Sequence, residues 1–155
     1  MDELCIKRIP SAQLHLITVL HSYNNTDDML AQNSKKINNG DIDIFGLFLD
    51  NALIGEIRVA DNKENTVFAQ KGTRAYLYAF RILKDHRSKG FGSYLLSNVI
   101  SILKCNGYTE FTIGVEDDNP IAKKLYKDFG FDIFLDRISE EYQGDSYEYN
   151  LYLKK

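Results

Sequence analysis

The stretch Ile82-Leu-Lys-Asp-His-Arg-Ser-Lys-Gly-Phe-Gly-Ser93 places a basic, glycine-containing turn between an apolar strand and an amphipathic helix. Gly90 and Gly92 lack a Cβ, so the backbone of this turn can approach a ligand closely. The first N–H groups of the following helix have no intrahelical partner, and the helix dipole makes that end electropositive. Together with Arg87 and Lys89, these donors predict a site for an anion such as a pyrophosphate.

The residues around this turn predict the order strand, helix, strand. Ala75–Leu83 and Thr109–Val115 are rich in aromatic and branched residues, as strands are. Between them, apolar residues recur on one helical face until Asn106-Gly107, a typical helix end. These residues are Leu95, Leu96, Val99, Ile102 and Leu103. The turn therefore lies at the carboxyl end of its strand, where α/β sheets bind ligands.

The flanking segments complete one α/β domain with a mixed, mostly antiparallel sheet. Asp50-Asn51 tolerates the positive φ of a tight hairpin turn, and Asn119 suits the cap of a helix that begins with Pro120. We expect Leu125 and Phe129 to point inward from that helix. The other expected elements are a strand over 3–9, helices after Ser11 and from Thr26 to Asn39, strands at Ile42–Leu49 and Leu53–Val59, a loop over 61–73, and strands at Phe131–Leu135 and Tyr147–Leu153.

Composition indicates a single globular domain over residues 1–155. Hydrophobic residues make up 44% of the chain, enough for a sizeable core. The net charge of −3 argues against a general nucleic-acid binder. The start, Met1-Asp-Glu-Leu, lacks the features of a signal peptide, and no apolar run has membrane-spanning length. We therefore predict a cytoplasmic protein that binds neither nucleic acid nor membranes.

Several other chemistries are disfavoured by residue spacing. Cys5 and Cys105 form no metal-binding or disulfide pattern, and the three histidines lack ligand spacing, so we predict no metal. A Walker loop needs Gly-Lys-Ser/Thr after its glycines, and a dinucleotide fingerprint needs a third Gly where this chain has Leu95. Nucleotide hydrolysis and hydride transfer are therefore not expected.

Two motifs in this order resemble those of the GNAT superfamily of acyl-CoA-dependent N-acyltransferases. Ile82, Arg87, Gly90 and Gly92 match an apolar strand residue followed by Arg-x-x-Gly-x-Gly. Asn119-Pro-Ile-Ala-Lys-Lys-Leu-Tyr-Lys-Asp-Phe-Gly-Phe131 matches an Asn followed by a helix that ends in Leu-Tyr and then Gly-Phe. The resemblance covers nearly the whole chain.

The resemblance implies a twisted sheet of about seven strands with about four helices, and acetyl-CoA as acyl donor. It implies that main-chain amides of the turn hold the CoA pyrophosphate, that the strand backbone pairs with pantetheine, and that an amide near Ile82 polarises the thioester. Lys84 and Ser88 replace the family's usual Pro and Gly but leave these amides available. The implied CoA-binding residues are Phe80, Ile82, Arg87, Ser88, Lys89, Gly90, Phe91, Gly92, Ser93 and Asn119.

For catalysis, Tyr126 matches the tyrosine that protonates the leaving thiolate in this family. The base that takes the amine proton is fixed by no motif, and Glu56 and Glu116 are the candidates. Each has a simpler alternative, namely core packing for Tyr126 and a solvent-facing strand position for either glutamate.

The resemblance leaves the acceptor open. A small-molecule primary amine that attacks directly in a ternary complex is the first hypothesis, since no Cys is placed as an acyl carrier. A protein or peptide N-terminus is the alternative, although the acetyltransferases of that kind carry Glu where this chain has Gly114. A non-catalytic acyl-CoA-binding module is a third hypothesis.

The C-terminal region offers hints about the acceptor and about assembly. An acidic group in and beside the terminal loop suits a cationic amine, or is an ordinary solvated turn. It consists of Glu140, Glu141, Asp145 and Glu148. Tyr76 and Tyr78 are either acceptor contacts or sheet packing. A homodimer is left open, since Tyr147, Tyr149 and Tyr152 suit either a core or an interface.

Overall fold

The structure, a computed structural model, describes residues 3–20, 26–142 and 144–155. Its strands are β1 (Leu4–Arg8), β2 (Ile42–Leu49), β3 (Ala52–Ala60), β4 (Arg74–Ile82), β5 (Glu110–Val115), β6 (Ile133–Tyr142) and β7 (Asp145–Lys154). Its α-helices are α1 (Thr26–Asn38), α2 (Phe91–Cys105) and α3 (Pro120–Asp128), and Ser11–Leu20 and Lys84–His86 are 3₁₀ helices. Within the described residues, seven strands form one sheet in the order β1-β2-β3-β4-β5-β7-β6.

The predicted fold class is confirmed. Strand β4 pairs with β5 in parallel, whereas β1 with β2, β2 with β3, β5 with β7 and β6 with β7 are antiparallel. The chain divides into two compact units, the first formed by Met1–Ala60 and Ala79–Ile102 and the second by Asp61–Tyr78 and Leu103–Lys155. Strand β4 contributes residues to both units.

In the first unit, the β2–β3 hairpin turns where the sequence predicts. Asp50 and Asn51 have φ of 51° and 71°, the left-handed conformation that a two-residue turn requires. At Gly55 on β3, a Cβ would lie 2.6 Å from Cδ1 of Ile82. This glycine therefore allows β3 to pack closely against the end of β4.

The predicted first helix is a 3₁₀ helix rather than an α-helix. Leu14 and Ile17 are buried in it, and their spacing of three residues places them on one side of a three-residue turn. Gly40, with φ of 76°, follows α1 as predicted. In α2, Ile102 is half-buried and the other four residues of the predicted face are buried.

In the second unit, α3 is capped at both ends. The Asn119 side chain accepts a hydrogen bond from the Ala122 N–H at 3.1 Å, as its position predicts. At the other end, the Phe131 N–H donates to the Tyr126 carbonyl at 3.0 Å around Gly130, a Schellman arrangement. Phe131 is thus part of the helix cap, so β6 begins at Ile133 and the predicted start at Phe131 is wrong.

The buried face of α3 also differs from the prediction. Leu125 and Phe129 are only half-buried, whereas Tyr126 is 8% exposed. The apolar spacing in the sequence therefore predicted the wrong residues for the buried face of α3. Among the described residues, no helix is long and apolar enough to cross a membrane.

Candidate active site

In the first unit, the predicted anion-binding turn connects β4 to α2. The Tyr94 N–H donates to the Gly90 carbonyl at 3.1 Å, which makes Gly90 the residue that precedes the first helical turn. Gly90 has no side chain that could cap the N–H groups of Phe91, Gly92 and Ser93. These three donors therefore remain available to an anion at the positive end of the helix dipole.

The backbone of the turn depends on two left-handed residues. Gly90 has φ of 86°, and a Cβ there would meet nothing within 4 Å, so its glycine is required by conformation and not by space. Ser88 has φ of 62°, which costs a residue with a Cβ roughly 1–2 kcal/mol.

Replacing Ser88 with glycine should relieve that strain. We expect Ser88→Gly to stabilise the protein by roughly 0.5–1 kcal/mol, because the greater freedom of glycine in the unfolded chain offsets part of the gain. Thermal unfolding measures this change, and Ser93→Gly, inside α2, serves as the destabilising comparison. A Ser88→Gly protein that melts below the wild type would contradict this account of the turn.

Arg87, which the sequence predicts to bind an anion, also contacts the backbone of the protein itself. Its Nε donates to the Ile82 carbonyl at 2.8 Å, which ties the turn to the end of β4. Its side chain is otherwise exposed, as are Ser88, Lys89 and Gly90. The charged part of the turn is therefore accessible to a ligand.

Two buried polar atoms beside the turn lack partners among the described residues, and sequence reasoning missed both. They are Nε of Arg81 and Nδ1 of His86. Buried polar atoms are nearly always hydrogen-bonded, so each of these nitrogens is a candidate partner for a polar group of a ligand. An arginine donor and a histidine nitrogen are groups that suit a phosphate-bearing ligand, such as the CoA pyrophosphate that the resemblance implies.

Strand β4 is irregular where it leads into this turn. Its parallel register with β5 runs from Arg74↔Glu110 to Leu77↔Ile113. Ala79 has φ of 49°, a left-handed conformation inside a strand that is typical of a β-bulge. Beyond the bulge, a Cβ at Gly92 would lie 3.4 Å from Phe80 and 3.9 Å from Ile82, so α2 packs on these side chains.

Glu56 lies in a buried polar group in the first unit. Its side chain is fully buried, and Arg58 Nε donates to its Oε1 at 2.7 Å. Arg58 Nη1 also reaches Asn33 Oδ1 at 3.5 Å. The simpler expectation of a solvent-facing Glu56 is therefore wrong, because an ion pair with Arg58 offsets the cost of burying its charge.

The second unit holds the other predicted site residues. Glu116 is exposed directly after β5, and the Asn119 carboxamide is engaged as the helix cap. Tyr126 is buried, which raises the pKa of its phenol to about 12. Tyr126 borders a cavity of about 350 Å³. The other lining residues are Val115, Lys123, Lys127, Phe131, Asp132 and Tyr152.

An ion-pair network that the sequence did not reveal fixes the loop between β5 and α3. Asp117 accepts hydrogen bonds from Asn150 at 2.8 Å and from Arg137 at 3.0 Å. These two bonds, with that from Asn150 the larger influence, lower the pKa of Asp117. Arg137 also binds Glu148 at 2.9 Å. The network holds the segment that precedes Asn119, and so the start of the helix that carries Tyr126.

The structure therefore groups the predicted residues by unit. Phe80, Ile82 and residues 87–93 come together at the start of α2 in the first unit, where Glu56 also lies. Glu116, Asn119 and Tyr126 belong to the second unit. In the described part of the chain, no group of three or more His, Cys, Asp or Glu residues is placed to hold a metal ion.

Comparison with known proteins places this arrangement in a family. Residues 13–131 match the model of the Acetyltransferase (GNAT) family. The chain therefore belongs to the GNAT acetyltransferase family, as the two sequence motifs predict. No curated protein is significantly similar in sequence.

Solved structures share the fold at low sequence identity. An N-acetyltransferase from Staphylococcus aureus Mu50 is 18% identical with a TM-score of 0.75, and the alignment covers 97% of both chains. A GNAT-family acetyltransferase from Streptococcus pneumoniae is 16% identical with a TM-score of 0.71, covering 98% of this chain and 99% of that one. Arabidopsis thaliana NAA60, solved with a bisubstrate analogue, is 18% identical with a TM-score of 0.70, covering 97% of both chains.

Proposed function

We propose that this protein is an acetyl-CoA-dependent N-acetyltransferase that acts on a primary amine of a small molecule, by direct attack in a ternary complex. The observation that carries the proposal is the turn before α2. It presents three main-chain donors at a helix N-terminus, next to the exposed Arg87 and Lys89. In the adjoining sequence, the buried nitrogens of Arg81 and His86 have no partner within the described part of the chain. A single domain over residues 1–155 is part of the proposal, and the family match, which includes segments of both units, supports it.

In this proposal, residues 80–93 hold the donor. The N–H groups of Ser88 through Ser93 bind the diphosphate, and Arg87 and Lys89 add positive charge. The backbone from Phe80 to Ile82, which follows the bulge at Ala79, supplies main-chain groups for pantetheine. An amide near Ile82 then orients and polarises the thioester carbonyl. The phenyl group of Phe91 and the side chain of Asn119 serve the site by packing and by capping α3.

A base is needed because the acceptor is protonated at neutral pH. An alkylamine with a pKa of about 10.4 costs roughly 4.6 kcal/mol to deprotonate at pH 7. Glu116 is exposed and can accept that proton directly or through water. The Glu56 carboxylate is fully buried and already accepts a hydrogen bond from Arg58. We therefore favour Glu116 as the general base and Glu56 as a structural residue.

Two matched substitutions separate these roles. Glu116→Gln should lower kcat while the melting temperature stays near that of the wild type. Glu56→Gln should destabilise the protein by roughly 3–5 kcal/mol, because Arg58 loses its buried counter-charge. Steady-state kinetics and thermal unfolding measure these effects. A Glu56→Gln protein of normal stability and low kcat, beside a Glu116→Gln protein with wild-type kcat, would reverse the assignment.

Tyr126 is the general acid in this proposal. It remains a neutral phenol throughout the working pH range, since burial raises its pKa to about 12. A neutral phenol can donate a hydrogen bond to the departing thiolate and then its proton. An ordinary thiol has a pKa near 8.5, so full transfer is uphill and hydrogen-bond stabilisation precedes it.

The direct test is release of free CoA thiol across a panel of acceptors. We expect acetyl-CoA to yield thiol with small primary amines, with kinetics that require both substrates on the enzyme. The panel includes peptides with free N-termini. Turnover with peptides alone would replace the small-molecule acceptor, and CoA binding without thiol release from any acceptor would indicate a non-catalytic module.

A further inference from the structure

One face of the second unit carries four tyrosines to which the proposed mechanism assigns no role. Tyr76 and Tyr78 lie two residues apart on β4, and Tyr147 and Tyr149 lie two apart on β7. Such spacing places each pair on one face of the sheet, and all four belong to one apolar cluster. Tyr76 and Tyr149 are buried, whereas Tyr78 and Tyr147 are partly exposed. We call these four residues the tyrosine cluster.

The tyrosine cluster already contacts an ammonium group of the protein itself. The rings of Tyr76 and Tyr78 are stacked with centroids 5.1 Å apart, and Phe68 meets Tyr76 edge-on at 4.8 Å. Lys63 Nζ lies 5.5 Å from the Phe68 centroid and 5.7 Å from the Tyr76 centroid. Aromatic faces attract cations at such distances. Because Lys63 is exposed, a cation from solution can replace it.

A carboxylate borders the same rings. The Tyr149 hydroxyl donates to Glu140 Oε1 at 2.6 Å, and Glu140 is directly opposite Tyr147 in the β6–β7 register. Glu140 is exposed. Burial above all, and then coupling to Tyr76, raises the pKa of Tyr149. The Tyr149 phenol therefore stays neutral, and Glu140 is the acidic residue beside the cluster.

The position of Tyr149 depends on a glycine that the sequence had already singled out. A Cβ at Gly114 would lie 2.5 Å from Cδ2 of Tyr149, so the ring lies directly on the backbone of β5. A side chain at position 114 would displace that ring and, with it, the hydroxyl that binds Glu140. The arrangement of the tyrosine cluster therefore requires glycine at position 114.

The chemistry of the cluster decides which form of an amine it binds. Aromatic faces and a carboxylate stabilise an ammonium ion over the neutral amine. An attacking nitrogen must be neutral, so the group bound here is an amine that does not react. A ligand that uses both this site and the transfer reaction therefore carries at least two amino groups.

We propose that the tyrosine cluster and Glu140 bind the non-reacting ammonium group of a diamine or polyamine acceptor, in place of the Lys63 ammonium. The inference rests on the proposed N-acetyltransferase function and names the class of its substrate. Lys63 is then an internal competitor, whose removal favours the acceptor.

The first experiment measures binding without catalysis. Tetramethylammonium has no N–H bond and cannot be acetylated, so it probes the cluster alone. We expect it to shift tyrosine ring resonances in an NMR titration, with a dissociation constant in roughly the millimolar range. Glu140→Gln should weaken this binding roughly two- to fivefold, because the attraction of an exposed carboxylate for a cation is screened by solvent. A wild-type protein whose tyrosine resonances do not respond to tetramethylammonium would overturn the inference.

The second experiment uses acetyl transfer. We expect 1,4-diaminobutane to have a kcat/KM at least about tenfold above that of 1-aminobutane, and Glu140→Gln to remove this preference by raising the diamine KM. Lys63→Met should lower that KM. Equal use of the two amines, or a Glu140→Gln enzyme that keeps the preference, would contradict the inference.

Glu141→Gln is the matched control, because adjacent strand residues point to opposite faces and Glu141 faces away from the cluster. It should leave the diamine preference and tetramethylammonium binding unchanged. Glutamine at position 140 still offers an oxygen to Tyr149, so both variants should melt like the wild type.

If no amine is acetylated, the proposed function fails, and the tetramethylammonium titration still decides this inference separately.

Discussion

Tyr126→Phe is expected to lower kcat by about 10²–10⁴-fold, the usual contribution of a positioned general acid. The phenyl ring keeps the packing of the buried side chain and removes only the hydroxyl. KM for acetyl-CoA should change little, because the proposal assigns diphosphate binding to the turn before α2 and only the proton transfer to Tyr126. Steady-state kinetics with the best acceptor from the panel measures both constants.

Tyr152→Phe is the matched control, since Tyr152 borders the same cavity as Tyr126 and no catalytic role is assigned to it. It should retain wild-type turnover. The raised pKa also predicts that loss of the Tyr126 proton contributes no alkaline limb below about pH 11. The contribution of the neutral Tyr126 phenol to the free energy of unfolding is complete below the ordinary phenol pKa of about 10. That contribution is lost as pH rises through 12. Wild-type turnover in Tyr126→Phe would remove this residue from the mechanism.

Arg87→Glu is expected to weaken acetyl-CoA binding by at least about a hundredfold. The substitution removes a charge-assisted contact, which is typically associated with about 1.5–3 kcal/mol, and places a negative charge beside the diphosphate. It also removes the bond from Nε to the Ile82 carbonyl that ties the turn to β4. Calorimetric titration with acetyl-CoA measures the dissociation constant.

Lys104→Glu makes the same change of charge at the other end of α2, where Lys104 is the basic residue of the last turn. It should bind acetyl-CoA like the wild type, so a loss confined to Arg87→Glu identifies a local effect. Arg87→Gln, which is neutral, should fall between the wild type and Arg87→Glu. Equal affinity in all of these proteins would mean that Arg87 serves only to hold the turn.

Much of the fold follows from local sequence signals. Asp50-Asn51 fixes a turn and Asn119-Pro120 a helix start through their own backbone preferences, and the structure bears out both predictions. The end of α3 shows the limit of such signals. Phe131 looks like a strand residue, but its N–H is engaged by the Tyr126 carbonyl, and only the complete cap shows this.

The site was less predictable than the fold, since it depends on contacts between distant residues. The left-handed conformation of Ala79 has no signal, because alanine does not favour it. The burial of Glu56 depends on Arg58 and on α1, and the bond from Tyr149 to Glu140 depends on the β6–β7 register. A glycine-containing turn, in contrast, presents its hydrogen-bond donors from its own main chain. The anion-binding character of the turn before α2 could therefore be predicted from the local sequence alone.

Calorimetric titration of the wild-type protein with acetyl-CoA, at low and at high salt, tests the central claim most directly. We expect one binding site per chain, weaker binding at high salt, and a stabilisation of about 2.7 kcal/mol at a hundredfold excess over Kd. Folded protein that gives no heat of binding and no rise in melting temperature with acetyl-CoA would contradict the account.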